Sequence, residues 1–200
     1  MLDDPPCRRR IVLLAVLFEA GLGVLALAVG WAIHCPIWQS VQWNFNDGLF
    51  ALAATVPLLL IFLACVRWPI GPLARIKTFA EEVLKPLFRS CTLLDLAAIS
   101  LAAGFGEEAL FRGILQSALS RWLALWLALT LASLLFGLLH WITPTYAVLA
   151  TLIGAYLGWL FIDSGNLLVP ILVHALYDFF ALAFVAKDGD SLRTASGNPL

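Results

Sequence analysis

A chain of 200 residues that is 62% apolar and only 12% charged, with eight tryptophans and a mean hydropathy of +0.95, has too little polar surface to cover a water-soluble globule. Composition therefore excludes a soluble enzyme or binding module and specifies an integral membrane protein. The net charge of −1 is uninformative by itself, because the positions of the twelve Lys and Arg residues carry the orientation signal.

Apolar runs long enough to span, about 20 residues each, fall at 11–33, 48–66, 92–119, 122–142, 145–162 and 167–186. The expected fold is all-α: a polytopic membrane helical bundle of about six transmembrane helices in one domain over 1–200, with polar cytoplasmic ends at 1–10 and 187–200. Arg8, Arg9 and Arg10 precede the first run, which reads as an uncleaved anchor with a cytoplasmic N-terminus. Glu19 lies roughly 13 Å into that span at about 1.5 Å per residue. It reads as a partner for a neighbouring helix or as a functional carboxylate. Alternate threading puts ten of the twelve basic residues inside, with Arg121 in a short outer turn and Arg112 within the membrane.

Between the second and third spans, LARIKTFAEEVLKPLF places Leu73, Ile76, Phe79, Ala80, Val83, Leu84 and Leu87 on one helical face, opposite Arg75, Lys77, Glu81, Glu82 and Lys85. That is the pattern of an interfacial amphipathic helix, acting as a connector or as a substrate guide. Asp95 suits the N-terminal dipole of the next helix. The cysteines Cys7, Cys35, Cys65 and Cys91 show no metal-type spacing and imply no intrachain disulfide.

The third span contains GFGEEALFRG, residues 104–113. An isolated charge at mid-bilayer costs at least about 2.5–3.5 kcal/mol, and this segment carries three. On a helix Glu108 and Arg112 share a face in the favoured orientation for an ion pair. Glu107 projects about 100° away and needs a partner on another helix or in a watery cavity. Gly104, Gly106 and Gly113 would let neighbouring backbones approach closely, and Gly154 and Gly158 form a GxxxG packing pair in the fifth span. His140 in LLFGLLHW and His174 in ILVHALYDFF stand in apolar runs, with Asp178 one turn beyond His174. A packing role explains any one of these groups, but six of them on three spans suggest a site.

A carboxylate and an imidazole converging on one water can act as a general base, while a second imidazole and a hydrogen-bond donor stabilise the oxyanion at an attacked carbonyl. No serine or cysteine stands in a nucleophile motif, and there is no HExxH helix. A zinc site built from His140, His174 and a glutamate on separate helices is the alternative.

The ordered motifs EExxxR at Glu107-Glu108-Ala109-Leu110-Phe111-Arg112, FxxxH at Phe136 to His140 and HxxxD at His174 to Asp178 resemble those of the CPBP family of intramembrane peptidases. That family includes the CAAX prenyl proteases and the Abi-type bacteriocin-processing and immunity proteins. The resemblance covers roughly 75–182, the expected catalytic core. It implies a glutamate-type endopeptidase without a cofactor, in which Glu107 and His140 activate water, His174 and Asp178 serve the oxyanion, and Glu108 with Arg112 form a supporting ion pair. The implied partners are a membrane-associated peptide or protein substrate and the lipid bilayer, and not nucleic acid. Where the CAAX proteases have an amide, this chain has Asp178, which accepts when ionised and can orient His174, or donate when protonated. A non-catalytic immunity or peptide-binding scaffold of the same fold, and a small proton-relay transporter, are the competing classes.

Overall fold

The computed structural model describes residues 5–188; the remaining parts of the polar ends, including Arg193, lie outside the described residues, as does the side chain of Cys7. Seven helices account for nearly all of it: α1 Pro5–Ala32, α2 Phe45–Arg67, α3 Leu73–Phe88, α4 Leu93–Leu119, α5 Leu125–Leu139, α6 Pro144–Ser164 and α7 Leu168–Asp188. No strand occurs among the described residues. The central element is α4, packed between α1 and α7, while α2 lies on α7 and α5 pairs with α6.

By length and apolarity, α1, α2, α6 and α7 can each cross a bilayer, and α3 with α4 form a fifth candidate bent by 115°. Six spans were expected, and α5 accounts for the difference. It has 15 residues, about 22 Å of helix against a hydrocarbon core of about 30 Å. Its short length has a local cause: His140 leaves the helical region as its C-cap, and the Thr143-Pro144 start of α6 follows at once.

Two features tie the end of the bundle where α1 begins. Thr92 and Asp95 form a capping box on α4, and Asp95 Oδ2 also accepts from Arg8 Nε at 2.7 Å, joining α1 to α4. Lys187 Nζ donates to the Cys91 carbonyl at 2.8 Å. At the opposite end the buried Asn166 amide accepts from the backbone N–H of Gln42 and Leu168, and donates to Gln42 O and Asp47 Oδ2. Every polar atom of that amide has a partner, so the loop before α2 is fixed on the α6–α7 turn. Arg121 donates to the carbonyls of Ile33 and His34 there.

The amphipathic segment is helical as expected, but its register shifts. A π-helical stretch at Ala80–Leu84 inserts an extra residue, so Val83 is turned outward and Phe88 is buried with Cys91, Leu96 and Ile99. Cys35, Cys65 and Cys91 are free thiols.

Candidate active site

The residues of GFGEEALFRG sit where α4 changes from α-helical to π-helical winding, at Ala109–Gln116. The wider turn keeps the expected pair: Arg112 Nη1 donates to Glu108 Oε1 at 2.9 Å, with the two side chains 1% and 0% exposed. Arg112 Nη2 donates to the Gly154 carbonyl at 2.7 Å, and Gln116 Nε2 to Gly158 O at 3.1 Å. The GxxxG glycines of α6 are therefore packing positions, as read from the sequence, and also expose two carbonyls to the polar side of α4.

Close approach at the glycines of α4 is real. A Cβ on Gly106 would run into the Glu19 carbonyl of α1, and one on Gly104 would come within 2.8 Å of Ile171 O on α7. Glu19 itself ends in a buried oxygen, Oε2, with no hydrogen-bond partner among the described residues.

Glu107 meets His140 across the α4–α5 boundary, with Oε2 3.6 Å from Nε2. That separation is too long for a direct hydrogen bond, and Glu107 Oε2 has no hydrogen-bond partner among the described residues. His140 Nδ1 lies 2.8 Å from the carbonyl of Phe136 on its own helix. A carbonyl only accepts, so Nδ1 carries the hydrogen and a neutral ring turns its Nε2 lone pair toward Glu107. The phenylalanine of FxxxH forms the wall: its ring stacks on His140 at 4.3 Å between centroids, and the Arg112 guanidinium lies 4.7 Å from its centre on another contact.

His174 is drawn in from α7. Its Nδ1 is 2.8 Å from Glu108 Oε1 and its Nε2 is 3.4 Å from Asp178 Oδ2, so a carboxylate faces each ring nitrogen. Glu108 thus receives both Arg112 and His174, whereas Glu107 receives neither by direct contact. All six residues expected from the sequence converge on one region.

A cavity of about 100 Å³ lies between them, lined by Glu107, His140, His174 and Asp178 together with Tyr146 and Tyr177. Sequence reasoning passed over both tyrosines. The available signal was their scarcity: the chain has three, and all stand in the last two apolar spans, where each hydroxyl needs a partner. Tyr156 finds the Ala54 carbonyl at 2.8 Å. A larger groove of about 510 Å³ between α2, α4 and α7 is lined by apolar residues such as Leu49, Leu52, Leu101 and Phe179 and offers no chemistry.

A zinc site would need His140, His174 and a glutamate to turn their donor atoms to one point. Both nitrogens of His174 face carboxylates and Nδ1 of His140 faces its own backbone. Among the described residues no group of three His, Cys, Asp or Glu is arranged to hold a metal ion.

Fold and site together define a helical integral membrane protein with an ionisable centre enclosed between α4, α5 and α7. Residues 89–180, a little under half of the chain and containing all six site residues, match the family model of type II CAAX prenyl endopeptidase Rce1-like proteins. The segment is thus similar to the type II CAAX prenyl endopeptidases, which supports the resemblance drawn from the three sequence motifs. No curated protein and no solved structure matches the chain.

Proposed function

We propose that the protein is an intramembrane endopeptidase that hydrolyses a peptide bond with water activated by Glu107 and His140. The observation that carries this reading is the facing of Glu107 Oε2 and His140 Nε2 at 3.6 Å. Two acceptors opposed in a cavity suit a molecule with two O–H donors, and water is the smallest. Glu107 takes one proton as the water oxygen adds to the scissile carbonyl carbon, and the carbonyl electron pair becomes the tetrahedral oxyanion. Collapse restores the carbonyl, breaks the C–N bond and returns the proton from Glu107 to the leaving amine. Acid and new amine are then both released with no covalent intermediate on the protein.

The supporting groups divide the charge. Arg112 and His174 are held by Glu108, so Glu107 is not tied up in a competing ion pair and remains available as the base. Asp178 positions His174 through Nε2. No step needs a metal. The substrate is a membrane-associated peptide or protein reaching the cavity from the end that carries α3, where Phe79 packs toward Tyr146. With Arg8, the basic residues of α3 and Lys187 at that end, it is the cytoplasmic face of a cell membrane.

The test uses the full chain in liposomes with a degenerate library of lipid-anchored peptides. The parent should cleave library members and keep its rate in EDTA, while Glu107→Gln should insert normally and lose turnover. Glutamine at the parental rate would remove Glu107 from the role of base, and loss on chelation with recovery on zinc would replace the mechanism by a metal-dependent one. A parent that binds peptides without cutting them, and does so equally as Glu107→Gln, is a scaffold.

A further inference from the structure

The proposed hydrolysis requires a donor for the oxyanion, and the side chains expected to provide it are otherwise engaged. Asp178 stands where an amide would donate, and an ionised carboxylate only accepts. His174 directs Nδ1 to Glu108 at 2.8 Å and Nε2 to Asp178 at 3.4 Å. Arg112 is spent on Glu108 and on the Gly154 carbonyl. His140 gives its Nδ1–H to Phe136 and is proposed to present a bare Nε2 to water. Of the other cavity-lining residues, only Tyr146 and Tyr177 carry a side-chain O–H or N–H.

The two differ in placement. Tyr177 packs its ring edge-on to Phe62 of α2, with centroids 6.4 Å apart, and lies against the hydrophobic cluster that includes Leu157 and Val173. Tyr146 lies on the reactive side: its ring centre is 6.5 Å from that of His140, and both residues line the cavity that Glu107 and Asp178 face. Its backbone is also fixed. Thr143 caps α6 by accepting from the Tyr146 N–H at 3.1 Å, and Pro144 begins the helix. A donor held in place before the reaction needs no reorganisation as charge develops.

We propose that the Tyr146 hydroxyl donates the hydrogen bond that stabilises the tetrahedral oxyanion, doing the work that an amide at position 178 would do. The proposal rests on the peptidase reading. The phenol keeps its proton throughout: its O–H points at the carbonyl oxygen as negative charge builds there and is released when the carbonyl reforms. His174 contributes positive charge while keeping its Nδ1 bond to Glu108 and its Nε2 contact with Asp178.

The experiment compares Tyr146→Phe and Tyr156→Phe on the fastest-cleaved member of the lipid-anchored library. Removing one oxyanion donor costs about 10²–10³-fold in kcat, so Tyr146→Phe should lose that much with KM retained, and should bind a peptide phosphonate mimic of the oxyanion correspondingly less tightly. Tyr156→Phe removes a tyrosine hydroxyl bonded to Ala54 outside the cavity and should keep the parental kcat. Parental kcat and phosphonate affinity in Tyr146→Phe, with Glu107→Gln inactive, would overturn this assignment and leave the peptidase reading standing. A parent that cleaves nothing and is unchanged by Glu107→Gln would overturn both.

Discussion

Glu108 and Glu107 are adjacent in sequence and opposite in circumstance. Glu108 is sealed inside the bundle with Arg112 and His174 on one oxygen, while Glu107 faces a cavity and His140. Removing one member of a buried ion pair strands the other, at about 3–5 kcal/mol. Arg112→Ala should therefore lower the thermal stability of the detergent-solubilised protein by that order, whereas Glu107→Gln should leave the melting transition near that of the parent. Equal melting of Arg112→Ala and parent would mean that Glu108 finds another partner. The Glu108–Arg112 contact was legible in the sequence because helical geometry brings residues four apart together. The contact of His174 with Glu108 was not, since 66 residues separate them and only the docking of α7 on α4 joins them.

At the scale of elements, the winding change in α4 lies beside the site. Its α-helical half is tight against α1 and α7 through Gly104 and Gly106, and its π-helical half sends Arg112 and Gln116 to carbonyls of α6. Isolated π turns inside α-helices are frequent at functional sites, and no residue pattern in ALFRGILQ announced this one. Close packing yields a paired prediction on alanine. Gly106→Ala pushes a methyl into the Glu19 carbonyl and must part α1 from α4, at about 1–3 kcal/mol for overpacking. Gly21→Ala, on α1 with nothing near its Cβ position, should be neutral or slightly stabilising. Melting of both variants in one detergent checks this, and a Gly106→Ala protein as stable as the parent would mean that the α1–α4 contact is loose.

Across the whole molecule, the helix ends sort into two groups. Arg8, Asp95 and Lys187 gather at one end, and Gln42, Arg121 and Asn166 at the other. Reporters fused ahead of α1 and after α7 should both register the cytoplasm, and one inserted near Gln42 should register the outside. This outcome requires α5 to carry the chain back across in spite of its 15 residues, and a split result for the two ends would mean that it does not and that five spans cross.

Several properties follow from the sequence by itself: the membrane class from composition, the all-α bundle from apolar run length, the i,i+4 pairs Glu108–Arg112 and His174–Asp178 from helical period, and the candidate residues from the cost of charge in lipid. Each depends only on neighbours along the chain or on the solvent the chain must match. Tertiary structure decided what depends on tilt, rotation and the point at which a helix stops. It set Glu107 opposite His140 at 3.6 Å, bound Asp95 to Arg8 as well as to its own helix cap, placed Tyr146 beside His140 and turned Val83 outward through a π turn. These outcomes are set by side-chain packing between helices far apart in sequence. A pattern of apolar residues specifies that such faces will be buried, but not against which neighbour or at what depth.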